Sequence, residues 1–470
     1  MTESDKGDNQ ETDDKKAKLK HNLWFAYVVF LILWTGCVYT ELFHMNSEHK
    51  LFAFYLDKEG KQPAISDFVN VYNSACLAAA AQKDKIDIYS PTLQAEYSLK
   101  LTAPVKPEQP FYLQYPPMLF ALVRPLALFD MFGAWVVWCS LGVIGIVAST
   151  IALVRATSAK VTTAKATTAE TTTTGTGKTL FGVGAFTMVF AIAATLASFP
   201  SWYSVRLGQT SLLLVPGLAA FWLFCLKRKY FYAGLASGVV LVKLQYLPPV
   251  FIVGALIGTW KFLGGFTLIG ALLLLLSIGI VGMDNVMRFP QALLKGESSQ
   301  GVSGVAAEQM QNVRGNLTLL LGGDNSLVHL LSIGAFALGM AALIFLWWRA
   351  VKSGLNIDTA QGASKFRVLA SISTILMLAL SPHCHMQDYL ALIIPCIWLW
   401  FECADKIQNL SAMKMIRRLI LSFPVLGWPF YVFLFLFQLI KIEPFFLWAV
   451  VVMVASFKLY IDMQKSKEGA

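Results

Sequence analysis

One carboxylate, three cations and a pair of histidines, each set beside an apolar run, are the side chains of this sequence best equipped for chemistry. Asp67 stands in SDFVNVYNSACLAAAAQ, residues 66–82. Ser66 is a helix-capping type, and the spacing of Phe68, Val71, Ala75 and Leu77 suits an amphipathic helix at a membrane interface. A carboxylate in that first turn either complements the helix dipole or faces a substrate. In SWYSVRLGQTSLLL, residues 201–214, Arg206 and Gln209 flank Gly208. A cation and an amide at a helix mouth can hold phosphate or fix depth at the interface. Lys243 and Gln245 lie in LVKLQYLPP, residues 241–249. A lysine at the end of an apolar span is costly unless it snorkels or meets an anion. Asp284, Arg314 in MQNVRGN (310–316) and the stretch LGGDNSL (321–327) share one further loop region. The planar fork of Arg314 suits bidentate contact with phosphate oxygens. His383, His385, Asp388 and Tyr389 crowd into LALSPHCHMQDYLAL, residues 378–392. Histidines at i, i+2 can ligate a metal, but no HExxH and no third clustered ligand accompanies them, so a titratable histidine beside a substrate is the expectation.

The elements that must position these residues are hydrophobic helices. The chain is 470 residues long, 56% hydrophobic and 14% charged, with a mean hydropathy of +0.59, so lipid is the solvent for much of it. Backbone groups in hydrocarbon must be paired internally, and continuous runs of about 17–25 residues suit helices and not barrel strands. The expected fold is all-α, a polytopic bundle of about twelve spans with re-entrant and interfacial helices on its outer face. The runs fall near 23–44, 133–155, 179–199, 209–226, 230–246, 249–260, 263–282, 326–348, 367–381, 387–402, 416–440 and 444–461. One of these runs and one further apolar element are too short to cross. Pro248 and Pro249 open the run at 249–260, and Pro116 and Pro117 open an apolar helix interrupted by Arg124 and Pro125.

The net charge of +10 does not point to nucleic acid, because the basic residues sit in short clusters beside apolar runs and act as topology determinants. With the lysines of the first 20 residues inside, the clusters at 155–178, 226–229, 347–354 and 404–418 also fall inside. The segments 45–115, 200–208, 243–248, 283–325 and 381–389 then lie outside, and they hold the polar motifs. The domain reading is a disordered tail at 1–22, one integral membrane unit at 23–461 carrying a Thr-rich cytoplasmic linker at 157–178, and a second tail at 462–470. The long polar N-terminal stretch is unlike a signal peptide, and 23–44 reads as an anchor. Seven cysteines without CxxC spacing imply no disulfide framework.

The motifs resemble glycosyltransferase family 87, of the polytopic C superfamily. The resemblance rests on DFxxxYxxA (Asp67 to Ala75), Tyr89 and Pro91, YPP (115–117), RxGQ (206–209), VKLxxLPP (242–249), QNxRG (311–315) and SPHxHxxDY (381–389), and it covers about 25 to 460. It implies a hexosyltransferase, mannosyl by the family's habit, that draws on a polyprenyl-phosphate-linked sugar and serves a lipid or glycan acceptor at the periplasmic face of a bacterial inner membrane. It further implies Asp67 as catalytic base with His383 or His385 orienting it or the acceptor. Arg206, Lys243 and Arg314 would bind the donor phosphate, and Tyr72, Tyr115, Gln209, Gln245, Asp388 and Tyr389 would line the cavity. No cofactor is expected; a divalent metal would be an addition the motifs do not call for. The rival classes are a lipid-linked-sugar flippase or other carrier, and a non-catalytic assembly subunit. Carriers show internal repeats and midplane polar residues; here the polar residues gather at one end.

Overall fold

The computed structural model describes residues 3–47, 53–55, 63–65, 67–102, 113, 115–168, 185–297, 310–403, 411–437 and 442–465. Ser66, the linker residues 169–178 and the loop 404–410 lie outside them. The described fold is helical apart from a small antiparallel ribbon, β1 (Ala53–Tyr55) with β2 (Pro63–Ile65). In chain order the helices are α1 (Glu3–Ser47), α2 (Asp67–Asp84), α3 (Pro91–Thr102), α4 (Pro117–Val123), α5 (Met131–Thr168), α6 (Ala185–Ala197), α7 (Phe199–Arg206), α8 (Ser211–Leu226) and α9 (Tyr230–Ala236). There follow α10 (Leu247–Val281), α11 (Met283–Glu297), α12 (Val313–Leu321), α13 (Ser326–Lys352), α14 (Ala360–Leu380), α15 (Ile393–Glu402), α16 (Ser411–Phe437) and α17 (Pro444–Lys465).

Among the described residues, six helices are long and apolar enough to cross a membrane, within α1, α5, α10, α13, α14 and α17. The pair α6 and α7, bent by 53° at Ser198, would make a seventh. The difference from about twelve spans has local causes. The runs at 249–260 and 263–282 are two helical halves of α10 separated at Thr259, whose φ of 47° and ψ of −137° are not helical, and the halves double back so that the Phe251 and Phe266 rings meet at 5.3 Å. Pro248 and Pro249 begin that helix, where a missing N–H costs nothing. The run at 230–246 gives only the short α9, a 3₁₀ turn over Ser237–Leu241, and irregular backbone at Lys243. The proline pair before α4 likewise yields a short helix followed by a 3₁₀ turn, Arg124–Leu128.

Glycines let α9 and α10 touch backbone to backbone: a Cβ on Gly265 would stand 2.0 Å from the Phe231 carbonyl oxygen. The described helices reach past the expected bounds: α1 starts at Glu3, within the tail read as disordered, and α17 runs to Lys465, within the second tail. Helix α5 continues to Thr168, into the stretch read as a linker, because no glycine or proline interrupts it there. Helix α2 is not a one-sided interfacial helix, since Asn70, Asn73 and Ser74 are buried along with Phe68, Val71 and Ala75.

Candidate active site

Asp67 is the first residue of α2, and its Oδ2 accepts a hydrogen bond from Gln209 Nε2. The RxGQ motif explains how two residues so distant in sequence meet. Gly208 has φ +58°, open to glycine at little cost, and a Cβ there would lie 2.5 Å from the side chain of Phe68. The turn after α7 therefore rests on the residue that follows Asp67. Trp138 Nε1 donates to the Gly208 carbonyl oxygen at 2.9 Å, and Gln209 N donates to Ser204 O at 2.9 Å, which fixes the turn on both sides. Gly208→Ala should lower both the unfolding temperature and transfer. The left-handed backbone costs about 1–2 kcal/mol for a residue with a Cβ, and the overpacking against Phe68 about 1–3 kcal/mol. Thermal unfolding of the detergent-solubilised variant checks this, and wild-type stability would show that the contact with Phe68 is slack.

A second cluster lies beside the first. Lys243, in the irregular turn between α9 and α10, forms an ion pair with Asp388. The Asp388 side chain is 1% exposed and that of Lys243 13%. Ser211, the first residue of α8, donates to Asp388 Oδ1 at 2.5 Å, and Lys243 Nζ donates to Ser211 Oγ at 3.3 Å. The other Asp388 oxygen accepts from His385 N at 3.3 Å, capping the 3₁₀ turn Met386–Leu392. Irregular backbone in an apolar bundle is tolerated where it is buried in protein or lines a cavity, which is the condition of Lys243.

The third element is the loop from Ser381 to His385. His383 Nε2 and His385 Nε2 approach to 3.1 Å, so one ring donates and the other accepts. Gln245 Nε2 and Ser381 Oγ both donate to the His383 carbonyl oxygen, at 3.2 and 3.0 Å. The QNxRG segment backs this loop: Asn312 Nδ2 donates to Ser381 O at 2.8 Å, Gln311 N donates to Cys384 O at 2.8 Å, and the Tyr389 hydroxyl donates to Gln311 O.

Electrostatics ties the three together. Burial raises the Asp67 carboxyl to about 6, against the lowering effects of the Gln209 hydrogen bond and the Lys243 charge and with the Asp388 charge adding to the rise. Burial, then His385, Lys243 and Arg314, push His383 down to about 3, with Asp388 opposing, so its ring is neutral near pH 7. Burial and the nearby carboxylates of Asp67 and Asp388 raise the Tyr115 phenol, which places its hydroxyl in the field of both.

The structure thus brings Asp67, Gln209, Tyr115, Lys243, Asp388, His383, His385 and Gln245 into one region. The other candidates have these contacts. Arg314 is 6% exposed and grips Asp324, Nη2 to Oδ2 at 2.8 Å and Nε to Oδ1 at 3.3 Å, so its charge is already matched while its field reaches His383. Arg206, the last residue of α7, lies 5.3 Å over the Trp202 ring. The Tyr72 hydroxyl donates to Phe129 O at 2.6 Å, and Tyr389 is fully buried beneath the loop. Sequence reasoning missed Ser211, Asp324 as the partner of Arg314, and Glu443, which accepts from Gln311 Nε2 and whose N–H donates to Asn316 Oδ1 at 2.8 Å. Ser211 follows Gln209 by two positions and was the one with a local signal. Among the described residues no group of three His, Cys, Asp or Glu side chains is arranged to hold a metal ion.

In comparison with known proteins, the family model for glycosyltransferase family 87 matches residues 112–382, more than half of the chain. No curated protein and no solved structure matches it.

Proposed function

Because this chain belongs to glycosyltransferase family 87, a family of membrane glycosyltransferases, we propose that it moves a hexosyl group, mannosyl first among candidates, from a polyprenyl-phosphate donor to a lipid or glycan hydroxyl. The observation that carries this reading is the partly exposed Asp67 carboxylate, held through one oxygen by Gln209, beside the ion-paired Lys243. A sugar on a lipid phosphate already has a good leaving group, so one carboxylate suffices where glycoside hydrolysis uses two. Asp67 takes the proton of the acceptor hydroxyl as the acceptor oxygen bonds to the anomeric carbon. The bond from that carbon to the phosphate oxygen breaks, its electron pair leaves on polyprenyl phosphate, and configuration inverts. Lys243 shifts part of its charge from Asp388 to the departing phosphate, in a site too dry for water to do so. The neutral His383 ring, with His385 against it, and Tyr115 orient the acceptor. Membership in a membrane family, and basic clusters on alternate loops, support a bacterial inner membrane location with the site on the face opposite those clusters.

Transfer should rise with pH and level off above about 6. The sign follows from the shift: the base works only when ionised, and burial raises Asp67 from its usual 3.8 to about 6. Gln209→Leu removes an influence that lowers this value, so its profile should move to higher pH. A profile flat between pH 5 and 7 with chemistry rate-limiting would exclude Asp67 as the base. The full test is a transfer assay with the purified chain in lipid, a panel of polyprenyl-phosphate sugars and short glycolipid acceptors. Release of polyprenyl phosphate with an inverted glycosidic product supports the proposal. Transbilayer movement of the intact donor, or transfer only from nucleotide sugars, defeats it.

A further inference from the structure

A half-open apolar groove runs between α6, α15 and α16, with a cavity volume of about 50 Å³, lined by Phe190, Ala194, Cys396, Trp400, Ile420 and Pro424 among others. Trp24 of α1 closes one wall, its ring edge-on to Phe190 at 4.9 Å and to Trp400 at 5.8 Å. The groove is remote from Asp67 in the sense that Asp388 precedes α15 while Trp400 lies near that helix's other end. There the lining changes. The Arg417 guanidinium sits over the Trp400 ring at 4.8 Å. Arg417, Ile420 and Pro424 share one face of α16 at helical spacing, so the cation caps the same stripe that lines the groove. Lys414 and Arg418 are exposed on the same turn. Glu402, at the end of α15, is taken up by Arg367 and Ser364, so it does not oppose an incoming anion.

We propose that this groove binds an anionic phospholipid of the leaflet at the basic end of the bundle. Its acyl chain lies between α6, α15 and α16, and its phosphate meets Arg417 with Lys414 and Arg418. The lining offers water few partners, while hydrocarbon filling recovers the dispersion contacts that an empty groove forfeits. A guanidinium stacked on an indole is pre-oriented and weakly hydrated, the form of cation best suited to a phosphate at a membrane interface. Charge at one end and hydrocarbon along the rest specify an amphiphile of that polarity.

The test uses the purified full-length chain in detergent, probed by native mass spectrometry and thermal unfolding. The probes are phosphatidylglycerol, phosphatidylcholine with the same acyl chains, inorganic phosphate and a polyprenyl phosphate. Phosphatidylglycerol should be retained and should raise the unfolding temperature, and inorganic phosphate alone should do neither. Arg417→Ala should weaken phosphatidylglycerol about fivefold, as expected for one basic residue at the surface, and leave phosphatidylcholine unchanged. Peptide-mapped alkylation of Cys396 by an apolar maleimide, slowed by phosphatidylglycerol in the wild type and not in Arg417→Ala, reads the groove without repacking it. Equal retention of the two phospholipids, an Arg417→Ala variant that holds phosphatidylglycerol as the wild type does, or displacement of phosphatidylglycerol by the polyprenyl phosphate would each overturn the proposal.

Discussion

Asp67→Asn should lower the rate of sugar transfer by about 10²–10⁴-fold, the usual contribution of a positioned general base, while the protein remains folded in the membrane. The substitution is close to isosteric, and the amide oxygen of an asparagine can still accept the hydrogen bond that Gln209 now gives to the Asp67 carboxylate. It removes a half-buried charge. Because the folded-state value of Asp67, about 6, lies above the usual 3.8, ionising it costs stability as the pH rises from 3.8 through 6. The asparagine variant is therefore expected to be at least as stable as the wild type at pH 7. Loss of activity with an unchanged unfolding temperature separates a chemical role from a structural one. The residual transfer should also lose the rise with pH through 6. An Asp67→Asn protein that retains more than a tenth of wild-type turnover, with chemistry rate-limiting, would falsify the assignment.

The largest effect on stability is expected from Lys243→Met. The Asp388 carboxylate is 1% exposed, and without the ammonium it would be left buried and uncompensated. Breaking a buried pair from one side costs about 3–5 kcal/mol. The hydrogen bonds from Ser211 Oγ and His385 N remain, but they were arranged around a paired anion. The double variant Lys243→Met with Asp388→Asn removes both charges and keeps an acceptor for Ser211, so most of the stability should return. Transfer should not return if Lys243 meets the leaving phosphate as proposed, a loss of about 10²–10³-fold in rate where such electrostatic stabilisation is removed. The double-mutant cycle, with unfolding and turnover measured on the same four proteins, divides the two roles of Lys243. Equal stability of the two Lys243 variants would mean that Asp388 takes up a proton and needs no partner; full activity of either would show that Lys243 never meets the phosphate.

Much of this protein was legible without coordinates. The membrane environment followed from long apolar runs, since hydrocarbon admits no unpaired backbone, and the family motifs named Asp67, Gln209, Lys243, His383, His385 and Asp388. The breaks at Pro116–Pro117 and Pro248–Pro249 were also visible, because proline removes an N–H wherever it stands. Sequence spacing could not give the pairings. That Lys243 faces Asp388, that Arg314 is spoken for by Asp324, and that Tyr72 turns to Phe129 depend on which helices pack together, and charges with several possible partners choose among them by burial. The same holds for the spans. Hydropathy counts apolar residues, but the doubling back of 249–282 at Thr259, which sets Phe251 against Phe266, is decided by a backbone conformation that composition does not encode. Local chemistry determined what this chain could do at a membrane; long-range packing decided which of its charges are already paired, and with what.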